Sequence, residues 1–217
     1  MTPNEVEKYR KPVRILHWIH SGAFVVLFLT GFILFIPQLN FLSMGRWTHI
    51  IHRAAAIVFV GAPLLYLIVL PKSALRGLKQ AFTWGVDDLK WLKAAPRYYF
   101  LGDEEGVPPQ GALNSGQKIW WLLTVISGLA FIVSGVVMWF FKTSAPPAVS
   151  TRMIFIHDVS FIVTGAMFLL HIYLGVLHPK MTEAWSAMAK GTISAEYAKK
   201  HHGKWYQEIS GDKEEKE

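Results

Sequence analysis

Residues 153–177 read MIFIHDVSFIVTGAMFLLHIYLGVL, an apolar run with one carboxylate, Asp158, and two imidazoles, His157 and His171. As a helix rising about 1.5 Å per residue, it crosses a hydrocarbon core of roughly 30 Å. At about 100° per residue the two histidines return to within roughly 40° of one face, and they stand roughly 21 Å apart along the axis. The stretch therefore reads as a membrane helix that shows an imidazole at each of two depths. Ionisable groups inside a span are costly to bury and mark function by default.

Three further apolar blocks of spanning length lie upstream, over residues 15–36, 50–70 and 119–141. Each is bounded by Pro, Lys or Arg, as helices leaving a bilayer are. Pro63 falls inside the second and predicts a kink there. Composition agrees: 52% of residues are hydrophobic and only 17% charged, against about a quarter charged in soluble domains. Mean hydropathy is +0.30. The fold expected is an all-α, integral membrane four-helix bundle spanning residues 15–178. A short segment, residues 1–14, precedes it and a tail, residues 179–217, follows. The Cys count of zero excludes disulfides, iron–sulfur ligation, Cys-based zinc sites and covalent c-type haem.

The net charge of +7 is read as topology rather than as nucleic-acid binding. Eighteen of the 22 Lys and Arg lie in the amino-terminal segment, in the connection 72–118 or in the tail. Only Arg46, Arg53, Lys142 and Arg152 lie on the other side. The positive-inside rule then makes both termini, the connection and the tail cytoplasmic. The first block is longer than a signal h-region, is interrupted by His17 and His20, and is expected to stay as an uncleaved helix. In the connection, residues 87–95 read either as a short surface helix with Trp91 in the membrane interface or as an ordered polar loop. In the tail, Met181, Trp185, Met188 and Ala189 recur at helical spacing.

Depth along the spans sorts the histidines. His17 at the cytoplasmic start of the first helix matches His171, and His52 at the outer start of the second matches His157. Two bis-imidazole sites in one bundle suit haem iron, because a porphyrin supplies four equatorial nitrogens and the protein two axial ones. Tetrahedral zinc would require further carboxylate or Cys ligands, and apart from Asp158 beside His157 these depths offer none. The bland reading of each histidine alone is a hydrogen-bonded packing group. His20 is one turn from His17 and could meet a propionate; His49 competes with His52 as outer ligand. Small residues such as Gly22, Gly31, Gly61, Gly128, Gly135 and Gly165 would admit either a macrocycle or a neighbouring helix.

The chain resembles the gamma (cytochrome b) subunits of membrane-bound respiratory formate dehydrogenases and, more broadly, the cytochrome b subunits of hydrogenases and thiosulfate reductases. The likeness covers nearly the whole length. It rests on RILHW at 14–18, MGR at 44–46, NSGQK at 114–118, the His157 to His171 spacing, and AKKHHGKWYQEI at 198–209. The NSGQK and AKKHHGKWY segments are specific to the formate dehydrogenase branch.

The resemblance implies two b-type haems, with His17 and His171 on the cytoplasmic-side iron and His52 and His157 on the outer one. It also implies a menaquinone or ubiquinone pocket beside the cytoplasmic haem, lined by Asn114, Gly116 and Gln117. Ser115 stands where the pattern leads one to expect Ala, and MGRWTHIIHRAAA holds two histidines where it has one.

The partners implied are an iron–sulfur (beta) subunit, a molybdenum- or tungsten-containing catalytic (alpha) subunit, quinone and lipid of a bacterial inner membrane. Electrons would run from the outer side to quinone near the cytoplasmic side, with no formate-oxidising site in this chain. Amide donors such as Asn114 and Gln117 suit a quinone carbonyl, although an Asn-Ser-Gly turn opening the third helix explains them equally. Arg46, Arg53 and Arg152 suit haem propionates or lipid phosphate alike. The alternatives are a cytochrome b serving a hydrogenase or other reductase, and a haem-free anchor or transporter.

Overall fold

In the computed structural model, residues 4–103, 105–178 and 182–214 are described, the last three by backbone alone. Met181 of the tail reading above lies outside the described residues. Four helices are long and apolar enough to span: α1 (Lys11–Phe35), α2 (Arg46–Val69), α5 (Ser115–Phe140) and the run Pro147–Leu177. That run comprises α6 (Pro147–Ile172) and a π-helical turn, Tyr173–Leu177. Pro147 opens α6 ahead of the apolar block, at a position where the ring costs no hydrogen bond.

Two compact units divide the chain. The first, Lys11–Pro71 with Leu123–Leu174, turns its apolar surface outward: Ile57, Ile68, Phe155 and Leu169 are each more than 60% exposed. The protein is an all-α integral membrane bundle. A ladder of rings, in which Phe24, Phe28 and Phe35 meet Phe161 and Phe168, joins α1 to α6. Gly165 admits it, since a Cβ there would come within 2.9 Å of the Phe28 ring.

α2 continues through Pro63. Pro63 has no N–H for the Phe59 carbonyl one turn back. The His20 Nδ1–H supplies the missing donor at 3.1 Å, with its ring stacked on Phe59 at 4.0 Å. His20 is thereby explained as the repair of a proline break.

The second unit draws on the described parts of Met1–Arg10, Lys72–Leu122 and Gly175–Glu217. It holds α3 (Pro71–Phe82), α4 (Val86–Pro96), a π-helical turn (Arg97–Leu101), α7 (Thr182–Ala189), α8 (Ala195–His201) and α9 (Gly203–Glu214). It also holds a feature that periodicity did not predict. Strand β1 (Glu5–Glu7) pairs antiparallel with β2 (Thr192–Ser194), Val6 opposite Ile193. Ala187, Ile193 and Ala198 form the core, packed by Val6, Tyr9, Tyr197, Trp205 and Tyr206.

The connection is helical over Val86–Pro96, but Trp91 does not lie in a lipid interface. It is buried, with its indole over Gly116, where a Cβ would meet it at 3.2 Å.

Candidate functional site

In the membrane unit the four histidines form two pairs. His17 faces His171 and His52 faces His157, each with ring centroids 6.4 Å apart and planes inclined by 50° and 54°. His49 is exposed; the geometry brings His52, not His49, to His157. Two nitrogen–metal bonds of about 2 Å, plus about 1 Å from each nitrogen to its ring centre, put paired axial imidazoles about 6 Å apart. Both pairs meet that requirement. Among the described residues, no three His, Asp or Glu side chains converge as a metal cage would need.

The hydrogen bonds behind the outer pair sharpen the fit. Thr30 Oγ1 donates its proton to the Val26 carbonyl at 2.7 Å and so accepts from His52 Nδ1 at 2.8 Å. Ser134 Oγ donates to Ala130 at 2.6 Å and accepts from His157 Nδ1 at 2.9 Å. This pattern assigns both rings the Nδ1–H tautomer, which leaves both Nε2 lone pairs for iron. Gly31 and Gly135 present bare backbone beside the Cε1 edges, where a Cβ would lie 3.7 Å from His52 and 3.9 Å from His157. The residues fit a bis-imidazole haem.

At the other pair, His17 Nδ1 is buried without a hydrogen-bond partner among the described residues. Sequence reasoning missed Thr30 and Ser134. They are hydroxyls inside apolar spans, and the depth matching that paired the histidines would have found them. Of the arginines, Arg53 lies over Trp139 at 5.2 Å and Arg46 over Trp47 at 5.8 Å.

In the second unit, the turn before α5 is a closed capping box. Gln117 N–H donates to Asn114 Oδ1 and Asn114 N–H to Gln117 Oε1, both at 2.9 Å. The two readings of this turn are therefore compatible. Capping consumes the amide oxygens and leaves the two NH2 groups as donors for a ligand. Gly116 gives room to Trp91, as described above.

Ser115 is fully buried, its hydroxyl 2.9 Å from Asp88 Oδ1 and 3.0 Å from Gln110 Oε1. Lys118 Nζ binds both Asp88 oxygens, at 2.7 and 2.8 Å. Burial pushes the Asp88 carboxyl up, but the hydrogen bonds from Lys118, Gly85 and Ser115 outweigh it and hold the group below its ordinary value.

The AKKHHGKWY segment meets the residues just before NSGQK here. His202 Nδ1–H donates to Gly111 at 2.8 Å, Lys204 N–H to Gln110 at 3.1 Å, and Lys204 Nζ pairs with Asp87 at 2.5 Å. Lys8 adds a bond to Ala112 at 2.6 Å while lying 4.2 Å over Trp205. The tail motif thus straps the segment that leads into Asn114.

Burial, with the nearby Lys8 charge, pushes the His202 imidazole down from 6.5 to about 3. The sign follows: below pH 6.5 the unfolded chain takes up a proton that the folded one refuses. Stability is lost as pH falls, by about 2 kcal/mol between pH 7 and pH 5. Limited proteolysis of the tail is expected to accelerate severalfold at pH 5, and His202→Gln to flatten that dependence.

Residues 8–191 match the family described as prokaryotic cytochrome b561. The chain is 27% identical to the cytochrome b556(fdo) subunit of formate dehydrogenase from Escherichia coli strain K12, over 97% of this chain and 96% of that one. It is also 27% identical to the nitrate-inducible cytochrome b556(Fdn) subunit of the same strain, over 94% and 91%. A third relative is the formate dehydrogenase cytochrome b556 subunit of Haemophilus influenzae strain Rd, again 27% identical, over 93% and 82%.

Proposed function

The chain belongs to the prokaryotic cytochrome b561 family, and we propose that it is the membrane cytochrome b subunit of a formate dehydrogenase complex. Two b-type haems, on His17 with His171 and on His52 with His157, supply stepwise one-electron transfer from an iron–sulfur partner at the outer face to quinone at the cytoplasmic face. The observation that carries this reading is the pairing of four imidazoles at one spacing on three helices, with the outer two locked by Thr30 and Ser134 in the tautomer that ligation needs. A haem-free anchor does not require two imidazole pairs at this one spacing.

Quinone, as menaquinone or ubiquinone, takes two electrons and two protons to become quinol. The Asn114 and Gln117 NH2 groups bind its carbonyl oxygens without adding a fixed charge, and Gly116 keeps Trp91 packed behind them. Formate oxidation falls to a molybdenum- or tungsten-containing catalytic subunit joined through the iron–sulfur one. The distribution of Lys and Arg supports cytoplasmic termini in a bacterial inner membrane.

A reduced-minus-oxidised spectrum of the purified chain, with pyridine haemochrome quantification, tests the reading. About two b-type haems per chain are expected, with formate dehydrogenase subunits co-purifying from the native membrane. A fully folded chain without a Soret band sinks it, and a hydrogenase in place of the formate dehydrogenase reassigns the donor.

A further inference from the structure

Two clefts of the second unit share a wall. The inner one is aromatic, lined by Trp91, Tyr98 and Tyr99 together with Asn114. The outer one is polar, lined by Glu183, Glu196, Ser194 and Lys200. His201 and Tyr197 line both. Tyr98 is buried, and its hydroxyl lies 3.4 Å from His201 Nδ1, while the Tyr197 ring packs on the imidazole at 4.3 Å.

The neighbouring histidine is unsuited to proton traffic. Its Nδ1–H is committed to Gly111 and burial holds it neutral. His201 is half-buried instead. Tyr98 faces it from the turn after α4. Tyr197 and Lys200 face it from its own helix, and Glu183 and Glu196 from the outer cleft. Burial raises Tyr197 and Tyr99 to about 12, and both stay protonated.

We propose that His201 and Tyr98 deliver the protons consumed at the quinone site, His201 taking them from the outer cleft and Tyr98 passing them into the inner one beside Asn114. This rests on the reading of Asn114–Gln117 given above. Each quinone receives two electrons from the reduced haems and two protons by this route. A proton arrives on the outer-facing ring nitrogen of His201 as the Nδ1 proton leaves for Tyr98 Oη. The phenol gives up its own proton on the far side; His201 is then left as its other tautomer, and a flip of the imidazole ring with rotation of the hydroxyl restores the starting state before the next transfer. AKKHHGKWY then has two jobs for two adjacent histidines: His202 fastens the strap and His201 conducts.

The test uses the full haem-loaded chain, reduced with dithionite and mixed with decylubiquinone, with haem reoxidation followed in a stopped-flow spectrometer. His201→Gln and Tyr98→Phe are both expected to slow maximal reoxidation at least 10-fold, within the range of general acid–base catalysis. The loss should deepen from about pH 6 to about pH 9 as free protons become scarce. Binding of the quinone, read by tryptophan quenching, should stay at the parent value, as should haem content. Tyr98→Phe keeps the ring and its packing, which guards against misfolding of the histidine variant. Parent-like reoxidation in both variants across that pH range overturns the relay alone. A parent chain whose haems are not reoxidised by quinone overturns the quinone reading and the relay with it.

Discussion

His157→Ala is expected to bring haem content from about two per chain to about one, and His17→Ala to do the same at the other site. In the proposed sites each imidazole would supply one of two nitrogen ligands, the paired rings standing 6.4 Å apart between centroids. Without it the remaining Nε2 faces a gap that no other His, Asp or Glu of the described residues closes. The second haem survives because the sites are roughly 21 Å apart along α6 and have no ligand in common.

The two sites should also differ in their sensitivity to conservative changes. Thr30→Val and Ser134→Ala remove the acceptors for His52 and His157 Nδ1–H and should weaken outer-site retention by roughly 10- to 100-fold, as loss of such supporting bonds does. The same pair leaves the His17 site untouched. His49→Ala is the internal control and should retain both haems. Unchanged haem content in His157→Ala would remove the basis for the outer site.

Asp88→Ala is expected to destabilise the second unit by about 3–5 kcal/mol, the cost of leaving one member of a buried ion pair uncompensated. The carboxylate accepts from Lys118, Ser115 and the Gly85 N–H at once. Lys118, with a side chain only 13% exposed, is left holding a charge with little water to share it. Lys118→Met alone should be similarly harmful, whereas the double variant should regain much of the loss.

The carboxyl sits below its ordinary value in the folded protein. Its contribution is therefore complete above the unfolded pKa of 3.8 and disappears as pH falls through the lower folded value. Because Ser115 and Lys118 belong to the first turn of α5, the damage should reach the Asn114–Gln117 box. A raised KM for quinone with haem content unchanged is the expected pair of observations. Denaturant titration of the tryptophan signal measures the stability term, and a shift below about 1 kcal/mol would show that the pair contributes no more than an exposed one.

These two variants also mark the boundary of what the amino-acid sequence discloses. The spans and the histidine pairs were legible because a helix in lipid converts position along the chain into depth, and depth alone was enough to match partners. Thr30 and Ser134 obey the same rule but look ordinary, since hydroxyls in membrane helices commonly bond to their own backbone, as these two also do. Trp91 was misplaced because an exposed aromatic at an interface and a buried one over a glycine have the same local signature. The second unit was illegible for a different reason. Its parts lie at residues 5–7, 83–118 and 183–206, and no local period reports contacts across such separations. The Asn114 turn was readable as cap or ligand site, and the geometry shows the cap.

The pairing of β1 with β2 carries a consequence for how the protein is made. Glu5–Glu7 leave the ribosome before the four spans, and their partners Thr192–Ser194 after them. Strand β1 must therefore wait, without its partner, while all four spans are made. A chain interrupted before Thr192 can insert every span, yet it cannot complete the sheet or receive the strap on Gln110 and Gly111. Closure of this small sheet is thus a late event in biogenesis, and it distinguishes a finished polypeptide from a merely inserted one.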